Sequence, residues 1–318
     1  MAEFRPLMAS PQEAKHAATG RRRLGVIDLL LVLMSVIWGI NFTVIKTALV
    51  DFSPLSFTAM RFLIASLVLL AVTRLLGRRP SIRRGDLGPL MFLGVVGHLV
   101  YQVAFIEGLA RTRAGNAALI LATTPVFIAL LSAAIGHDRL NGKAILGVSL
   151  SFVGMTIIVT SNGQNVGIGG TLFGNLLLFG STVCWAFYTV GLKRFIVRYG
   201  PLATMRVAIL SGTGPLWLVS IPSLRQQSWS SIRPEAWAGL LFSALGAIVV
   251  SFFIWNYAIK RIGSTRTAAF SNLTPIFALV VAWLVLHERP SVGQLIGAAV
   301  ILLGIYLTRG ETSAGKAA

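Results

Sequence analysis

Ten apolar runs of about 20 residues follow one another along the chain, with short polar segments between them. A run of this length is what a helix needs to cross the hydrocarbon core of a bilayer. Of the 318 residues, 55% are hydrophobic and only 12% are charged, whereas about 25% charged residues is usual for soluble domains. The pattern predicts an all-α integral membrane protein and excludes a water-soluble globule.

The apolar runs also set the bounds of the predicted helices. In lipid every backbone N–H and C=O needs an internal partner, which leaves helices and closed barrels as spanning structures. Barrel strands alternate apolar and polar side chains, and a run such as 144–159 does not alternate. We therefore predict ten transmembrane helices, at residues 28–48, 56–76, 87–109, 114–134, 144–162, 171–192, 202–221, 236–258, 264–286 and 292–308.

The basic residues orient the predicted spans. The chain has 28 Lys and Arg against 10 Asp and Glu, a formal net charge of +18. With the N-terminus inside, twenty basic residues fall in inner segments and six in outer ones, which is the bias of cytoplasmic loops. Short basic clusters between apolar runs are typical of membrane orientation and not of nucleic-acid binding. We predict a multi-pass protein of the cell inner (plasma) membrane with both termini cytoplasmic.

The chain contains an internal duplication. At an offset of 150 residues the Thr-Pro pair 124–125 corresponds to 274–275, and at an offset of 147 Trp38 corresponds to Trp185. Each copy holds five spans, an odd number, so the second copy enters the membrane from the opposite side. Such inverted-topology repeats are typical of secondary transporters, whose substrate site lies near the bilayer midplane. The predicted organisation is a cytoplasmic tail at 1–26, five-helix repeats at 27–162 and 169–309, and a tail at 310–318.

Several motifs of the chain resemble those of a known family. They are similar to motifs of the EamA-type transporters, part of the drug/metabolite transporter superfamily, and the similarity extends from about residue 27 to 309. The resemblance implies an exporter of amino acids or related metabolites, with a central cavity lined by both halves and the fifth and tenth spans peripheral. Asp138 departs from the pattern, because Glu288 stands at its place in the second repeat. The motifs are Trp38-Gly39-x-Asn41-Phe42 with Ile45-Lys46, Pro54, Arg61-Phe62, the two Thr-Pro pairs, and His287-Glu288-Arg289 before Gly297 and Gly304.

Aromatic and polar residues at mid-depth are the candidates for substrate contact, because polar groups in hydrocarbon usually face a cavity or another helix. His98 and Tyr101 share one face of the third span, and Asn41 shares a face with Trp38. The alternatives are a hydrogen-bonded packing role for His98, an interhelical hydrogen bond for Asn41, and core packing for the tryptophans. The predicted substrate-binding residues are Trp38, Asn41, His98, Tyr101, Trp185, Tyr188 and Trp255.

Gates and hinges form a second group of predicted site residues. Arg61 and Glu107 lie at one depth near the outer end of their spans, where an ion pair would close the outer mouth; snorkelling of the arginine is the alternative. Arg206 with Tyr257 would close the inner mouth. Pro125 and Pro275 interrupt helix hydrogen bonding and are predicted hinges for alternating access.

Absent motifs narrow the function further. The sequence has no mid-span Asp or Glu, which makes proton coupling doubtful and leaves His98 as its only mid-depth candidate. A membrane enzyme has little support, because HExxH and phosphate-loop motifs are missing, and neither a cofactor nor a metal is expected. A non-transporting scaffold is a further alternative.

The prediction is a secondary transporter that exports amino acids or related metabolites. Aromatic amino acids are the favoured substrates, because they can stack on the tryptophans of the cavity. Its expected partners are a small-molecule substrate and the lipid bilayer, with no nucleic acid. The sequence leaves the oligomeric state open, and a monomer is compatible with it. The alternative transport function is a broad-specificity drug or metabolite efflux carrier.

Overall fold

The computed structural model describes residues 25–77, 82–135, 142–160 and 171–309. Every regular element in these ranges is helical. The predicted tails, apart from residues 25 and 26, and Asp138 lie outside the described residues. The helices are α1 (Val26–Ala48), α2 (Pro54–Leu75), α3 (Arg84–Ala110), α4 (Ala114–Ala134), α5 (Gly142–Thr160), α6 (Thr171–Tyr199), α7 (Pro201–Gln226), α8 (Pro234–Ile262), α9 (Ser264–Phe270 and Thr274–Leu286) and α10 (Val292–Arg309).

The helices are apolar enough for a membrane protein. Seven of them, α1 to α4 and α6 to α8, have the length and hydropathy to cross a bilayer, and α5, α9 and α10 carry shorter apolar stretches. Large apolar side chains such as Leu67, Phe92 and Trp283 are exposed on the outside of the bundle, as lipid contact requires. Helix α6 runs past its predicted end at residue 192 to Tyr199, because its last two turns carry Lys193, Arg194 and Arg198, which favour the polar interface.

Four helices are irregular near their middle, at corresponding places in the two halves. Helix α3 contains a π-helical segment at Val96–Val100, and α8 contains one at Ser243–Val250. Helix α4 is interrupted by a turn just before Thr124–Ala134, and α9 by the 3₁₀ turn Ser271–Leu273. A proline stands in the first turn after each of these two interruptions, where its missing N–H costs no hydrogen bond.

Contacts between helices correspond when α1 to α5 are exchanged with α6 to α10. Helix α1 packs on α9 as α6 packs on α4, and α3 packs on α6 as α8 packs on α1. Helix α7 packs on α3 as α2 packs on α8. Two contacts, α2 with α7 and α5 with α10, are each formed between a helix and its own counterpart in the other half. Helices α1 to α4, α6, α8 and α9 surround a central space.

Helices α5 and α10 form a separate, closely packed pair. A Cβ atom on Gly304 would lie 2.5 Å from the Gly147 carbonyl oxygen, and one on Gly154 would lie 2.6 Å from the Gly297 carbonyl oxygen. The four glycines therefore let two backbones touch, which is a common contact between helices in membranes. The glycines recur at matching positions of the two halves, 150 residues apart.

Polar contacts fix the helix ends around the central space. The two carboxylate oxygens of Glu288 accept hydrogen bonds from the backbone N–H groups of Ala114 and Gly115, each at 3.3 Å, at the start of α4. A carboxylate there accepts hydrogen bonds from backbone N–H groups that have no partner within the helix, and it interacts favourably with the positive end of the helix dipole. Arg233 forms an ion pair with Asp51 at 2.9 Å, and this carboxylate raises the pKa of Arg233 above its usual value.

Candidate functional site

A central cavity lies between the two halves of the bundle. Its empty space amounts to about 750 Å³, open space at its mouth included. Residues of α1 to α4, α6, α8 and α9 line it. The aromatic lining residues are Trp38, Phe42, Tyr101, Phe105, Trp185, Phe252 and Trp255, and the polar ones are Asn41, Arg61, Gln102, Thr124, Ser271 and Thr274.

Trp38 stands at the centre of the aromatic wall. Its ring centroid lies 5.4 Å from that of Trp255 and 6.2 Å from those of Trp185 and Phe252. The indole N–H donates a 3.0 Å hydrogen bond to the carbonyl oxygen of Ala247, in the π-helical segment of α8. This bond and the three rings hold the Trp38 indole in one orientation.

A stacked pair of rings continues the wall on α3. Tyr101 and Phe105 are nearly parallel, with centroids 5.7 Å apart and planes at 14°. Tyr101 also lies 5.0 Å from Trp185 on α6. Rings from α1, α3, α6 and α8 therefore form one continuous surface, against which an apolar or aromatic group gains stacking energy.

Arg61 is a buried cation beside this aromatic wall. It is 2% exposed; Nη2 donates to Gln102 Oε1 at 2.6 Å, and Nη1 donates to Ser243 Oγ at 3.1 Å. The ring of Phe105 lies 5.8 Å from the guanidinium carbon. Arg61 therefore belongs to the cavity itself and does not snorkel to a surface.

The predicted ion pair between Arg61 and Glu107 is absent from the structure. Glu107 instead pairs with Arg111, one turn further along the same helix. The side chain of Arg61 points between α2, α3 and α8, where Gln102 and Ser243 reach its terminal nitrogens. The structure therefore does not form the outer gate inferred from depth, since equal depth does not place two side chains on facing helix sides.

His98 and Tyr188 lie behind the aromatic wall. His98 is fully buried and Tyr188 is 1% exposed, and His98 Nε2 lies 3.1 Å from the Tyr188 hydroxyl. The His98 ring also lies 5.6 Å from that of Phe252. Neither His98 nor Tyr188 lines the cavity, so the packing interpretation fits His98 and direct substrate contact does not.

The predicted inner gate is not assembled either. Tyr257 lines a second, wider groove with Lys260 and Arg261, between the ends of α2, α6, α7 and α8, and Arg206 is not among its walls. The guanidinium carbon of Arg261 lies 5.4 Å from the Tyr257 ring centroid. Tyr257 thus contacts the residue one turn after it on α8, because that side chain shares its helix face.

The two predicted hinge prolines, Pro125 and Pro275, each follow a residue that lines the cavity. Thr124 and Thr274, each directly before a proline, both line the cavity. Only the prolines of these Thr-Pro pairs were predicted site residues. The signal for the threonines was available in the duplication, because a polar side chain recurs at the same place in two apolar runs. Gln102 gave no comparable signal, since Phe252 stands at its place in the second half.

Charge in the cavity is one-sided. Arg61 is the single ionised side chain in the lining, and no Asp or Glu contributes to it, within the part of the chain that the structure describes. The same residues hold no cluster of His, Cys, Asp or Glu suited to a metal ion. The arrangement is that of a binding cavity for a mostly apolar molecule with one charged contact.

Comparison with known proteins identifies relatives of the whole bundle. The model of the EamA-like transporter family matches residues 25–160 and again 172–310. The uncharacterized transporter YyaM of Bacillus subtilis is 30% identical over 289 residues, covering 89% of this chain and 93% of that protein.

Two further relatives carry names that state a substrate class. A protein of Escherichia coli named as a probable amino-acid metabolite efflux pump is 28% identical, covering 90% of this chain and 94% of its own. One of Streptantibioticus cattleyicolor named as a probable terminal-alkyne amino-acid exporter is 29% identical, covering 89% and 93%. A solved crystal structure, 18% identical, shares the fold with a TM-score of 0.67 over 90% of this chain and 98% of the other.

Proposed function

The chain belongs to the EamA-like transporter family of the drug/metabolite transporter superfamily, and from this premise we propose that it exports amino acids or related small metabolites through the central cavity. The observation that carries the proposal is the position of that cavity, enclosed by helices of both halves and walled by aromatic side chains. A multi-pass transporter in the plasma membrane, and no enzyme, is what the family implies.

The favoured substrates are aromatic and apolar amino acids. The rings of Trp38, Tyr101, Trp185 and Trp255 offer stacking surfaces, and Asn41 Oδ1 is buried without a hydrogen-bond partner in the described structure. A free acceptor in an apolar site is costly unless a ligand satisfies it. The relatives named for amino-acid export support the same class.

Alternating access is the proposed mechanism. It requires two inverted five-helix repeats, which we propose at residues 27–162 and 169–309 and which together give ten spans. The exchange of helix contacts and the matching π-helical segments and proline turns support this duplication. In such transporters one half rocks against the other around a fixed site. Pro125 and Pro275 then act as hinges, because the helix interruption beside each permits bending.

We propose that transport runs down the concentration gradient of the substrate and is not coupled to proton movement. Proton-coupled carriers place a titratable carboxylate in the binding cavity, and the described lining holds none. His98 lies outside the lining and packs on Tyr188. Flux without a pH gradient is therefore the expected behaviour.

Counterflow in reconstituted vesicles tests the proposal. Vesicles loaded with Phe or Trp are expected to take up the same labelled amino acid faster than vesicles loaded with Ala. Trp185→Ala removes a stacking surface of about 0.5–1.5 kcal/mol and should weaken aromatic counterflow roughly two- to tenfold more than aliphatic counterflow.

Trp237→Ala is the matched control, because Trp237 packs on Phe52 and Trp229 near a helix end, away from the cavity. The variant should leave the aromatic preference unchanged. Normal aromatic counterflow by membrane-inserted Trp185→Ala would place the substrate elsewhere, and no counterflow of any amino acid would exclude the function.

A further inference from the structure

The guanidinium of Arg61 is a buried charge whose hydrogen-bond partners in the described structure are both neutral. It donates to one amide oxygen and one hydroxyl oxygen, of Gln102 and Ser243. Its Nε atom is buried without a partner in the described structure. Arginine has five N–H donors in a fixed plane, so donors remain for an incoming acceptor. A cation inside a membrane protein without an anion is costly and usually marks a functional site.

The position of Arg61 fits one end of an elongated molecule. Phe105 lies against both the guanidinium and the Tyr101 ring, so the cation and the aromatic wall meet at this residue. A ligand with an anionic group at Arg61 places a side chain of modest length directly on that wall. Planar, bidentate binding of a carboxylate is the contact for which a guanidinium is best suited.

The cavity offers no corresponding charge to an ammonium group. No carboxylate belongs to its walls within the described residues, and the polar groups there are amides, hydroxyls and the rings. The two ends of an amino acid are thus treated unequally, since its carboxylate meets an opposite charge and its ammonium group meets only neutral dipoles.

We propose that Arg61 anchors the carboxylate of the substrate, and that the cavity selects aromatic or apolar monocarboxylates, amino acids and their deaminated analogues alike. This inference rests on the export function proposed above. It names the substrate group that is recognised and assigns the buried arginine a binding role in place of the gate role inferred from depth.

Two ligands of equal shape test the proposal on the wild-type protein. 3-Phenylpropanoate carries a carboxylate and 3-phenylpropanamide a neutral amide of the same size. The carboxylate should compete with labelled phenylalanine in counterflow at least about tenfold better than the amide, because a buried charged contact is lost in the latter. 2-Phenylethylamine, which keeps only the ammonium group, should compete as poorly as the amide.

Variants of Arg61 locate the effect. Arg61→Met should abolish the preference for 3-phenylpropanoate over the amide, and Arg61→Lys should retain part of it. Arg225→Met, an exposed arginine near the end of α7, is the control and should keep the full preference. Quenching of tryptophan fluorescence on ligand binding to purified protein gives a second readout, which works even if a variant no longer transports.

The outcomes separate this inference from the function. Equal competition by carboxylate and amide in a protein that counterflows phenylalanine would overturn the inference and leave the export function standing. A preference that survives in Arg61→Met, in transport or in fluorescence, would likewise show that another group binds the carboxylate. Absence of counterflow for every amino acid would contradict the proposed function itself.

Discussion

At the scale of single residues, burial without charge compensation separates the roles of His98 and Arg61. Both are polar, both lie within spans, and both are almost inaccessible. His98 Nε2 has a neutral partner in the Tyr188 hydroxyl and rings pack around the imidazole, while its Nδ1 is buried without a partner in the described structure. Arg61 lines the central cavity instead. The first arrangement is that of a packing contact, whereas the second fits the carboxylate contact proposed above.

A prediction follows for the His98 and Tyr188 pair. Tyr188→Phe removes the hydroxyl and leaves His98 Nε2 without that partner in a buried place, which costs about 1–3 kcal/mol of stability. The thermal unfolding temperature should fall, while the Michaelis constant for phenylalanine stays within about twofold of wild type, since neither side chain lines the cavity.

The same pair bears on coupling to protons. Vesicle flux of phenylalanine should persist with no pH difference across the membrane, in wild type and in His98→Ala alike. A strict dependence on the pH difference that disappears in His98→Ala would mean that His98 is a proton site, and the gradient-driven mechanism would then be wrong.

At the scale of elements, the interrupted helices α4 and α9 are the distinctive features. Each is interrupted beside the cavity, and each restarts with a Thr-Pro pair whose threonine lines the cavity. Proline there terminates the preceding hydrogen-bond ladder without leaving a donor unpaired. The two lining threonines and the two predicted hinge prolines are thus adjacent in the chain. A bend at either interruption would therefore move the cavity wall.

Replacing the prolines tests the bending. Pro125→Ala and Pro275→Ala restore a backbone N–H and favour a continuous helix, which should lower the maximal transport rate several-fold and leave substrate affinity, measured by tryptophan fluorescence, near wild type. Pro222→Ala, at an exposed place late in α7, is the control. Unchanged rates in both hinge variants, with normal membrane insertion, would argue against hinges at these positions.

At the scale of the whole molecule, the duplication organises the fold. Contacts of each helix recur for its mate in the other half, and the pair α5 with α10 is the self-corresponding contact in which glycine backbones touch. Neither α5 nor α10 lines the cavity, and the lining comes from seven of the other helices, α1 to α4, α6, α8 and α9. This agrees with the peripheral place that the family resemblance implied for the fifth and tenth spans.

Membrane topology gives a prediction at this scale. The proposed inverted repeat and the distribution of basic residues predict that both termini are cytoplasmic and that the segment around Asn165 is outside. In a Cys184→Ser background, Asn165→Cys should react with an impermeant thiol reagent in intact cells, and Lys316→Cys should react only after the membrane is opened. Labelling of Lys316→Cys together with a silent Asn165→Cys would contradict the ten-span arrangement.

The sequence by itself determined the class of the protein, its family and much of the aromatic wall. Apolar run lengths, offsets between repeats and motif spacings are linear properties, and they lead to a helical membrane transporter and to Trp38, Asn41, Tyr101, Trp185 and Trp255. These residues sit at mid-depth on faces that helical periodicity fixes.

Only the tertiary structure decided which polar groups meet. Depth along a span can be counted from the sequence, but the direction of a side chain around the helix axis has meaning only relative to the helices packed beside it. Arg61 therefore met Gln102 and Ser243 instead of Glu107, and His98 lay behind the wall with Tyr188. Rotation of each helix about its axis is set by packing against its neighbours. This rotation directs Arg61 into the cavity, where it is a buried cation, and away from Glu107.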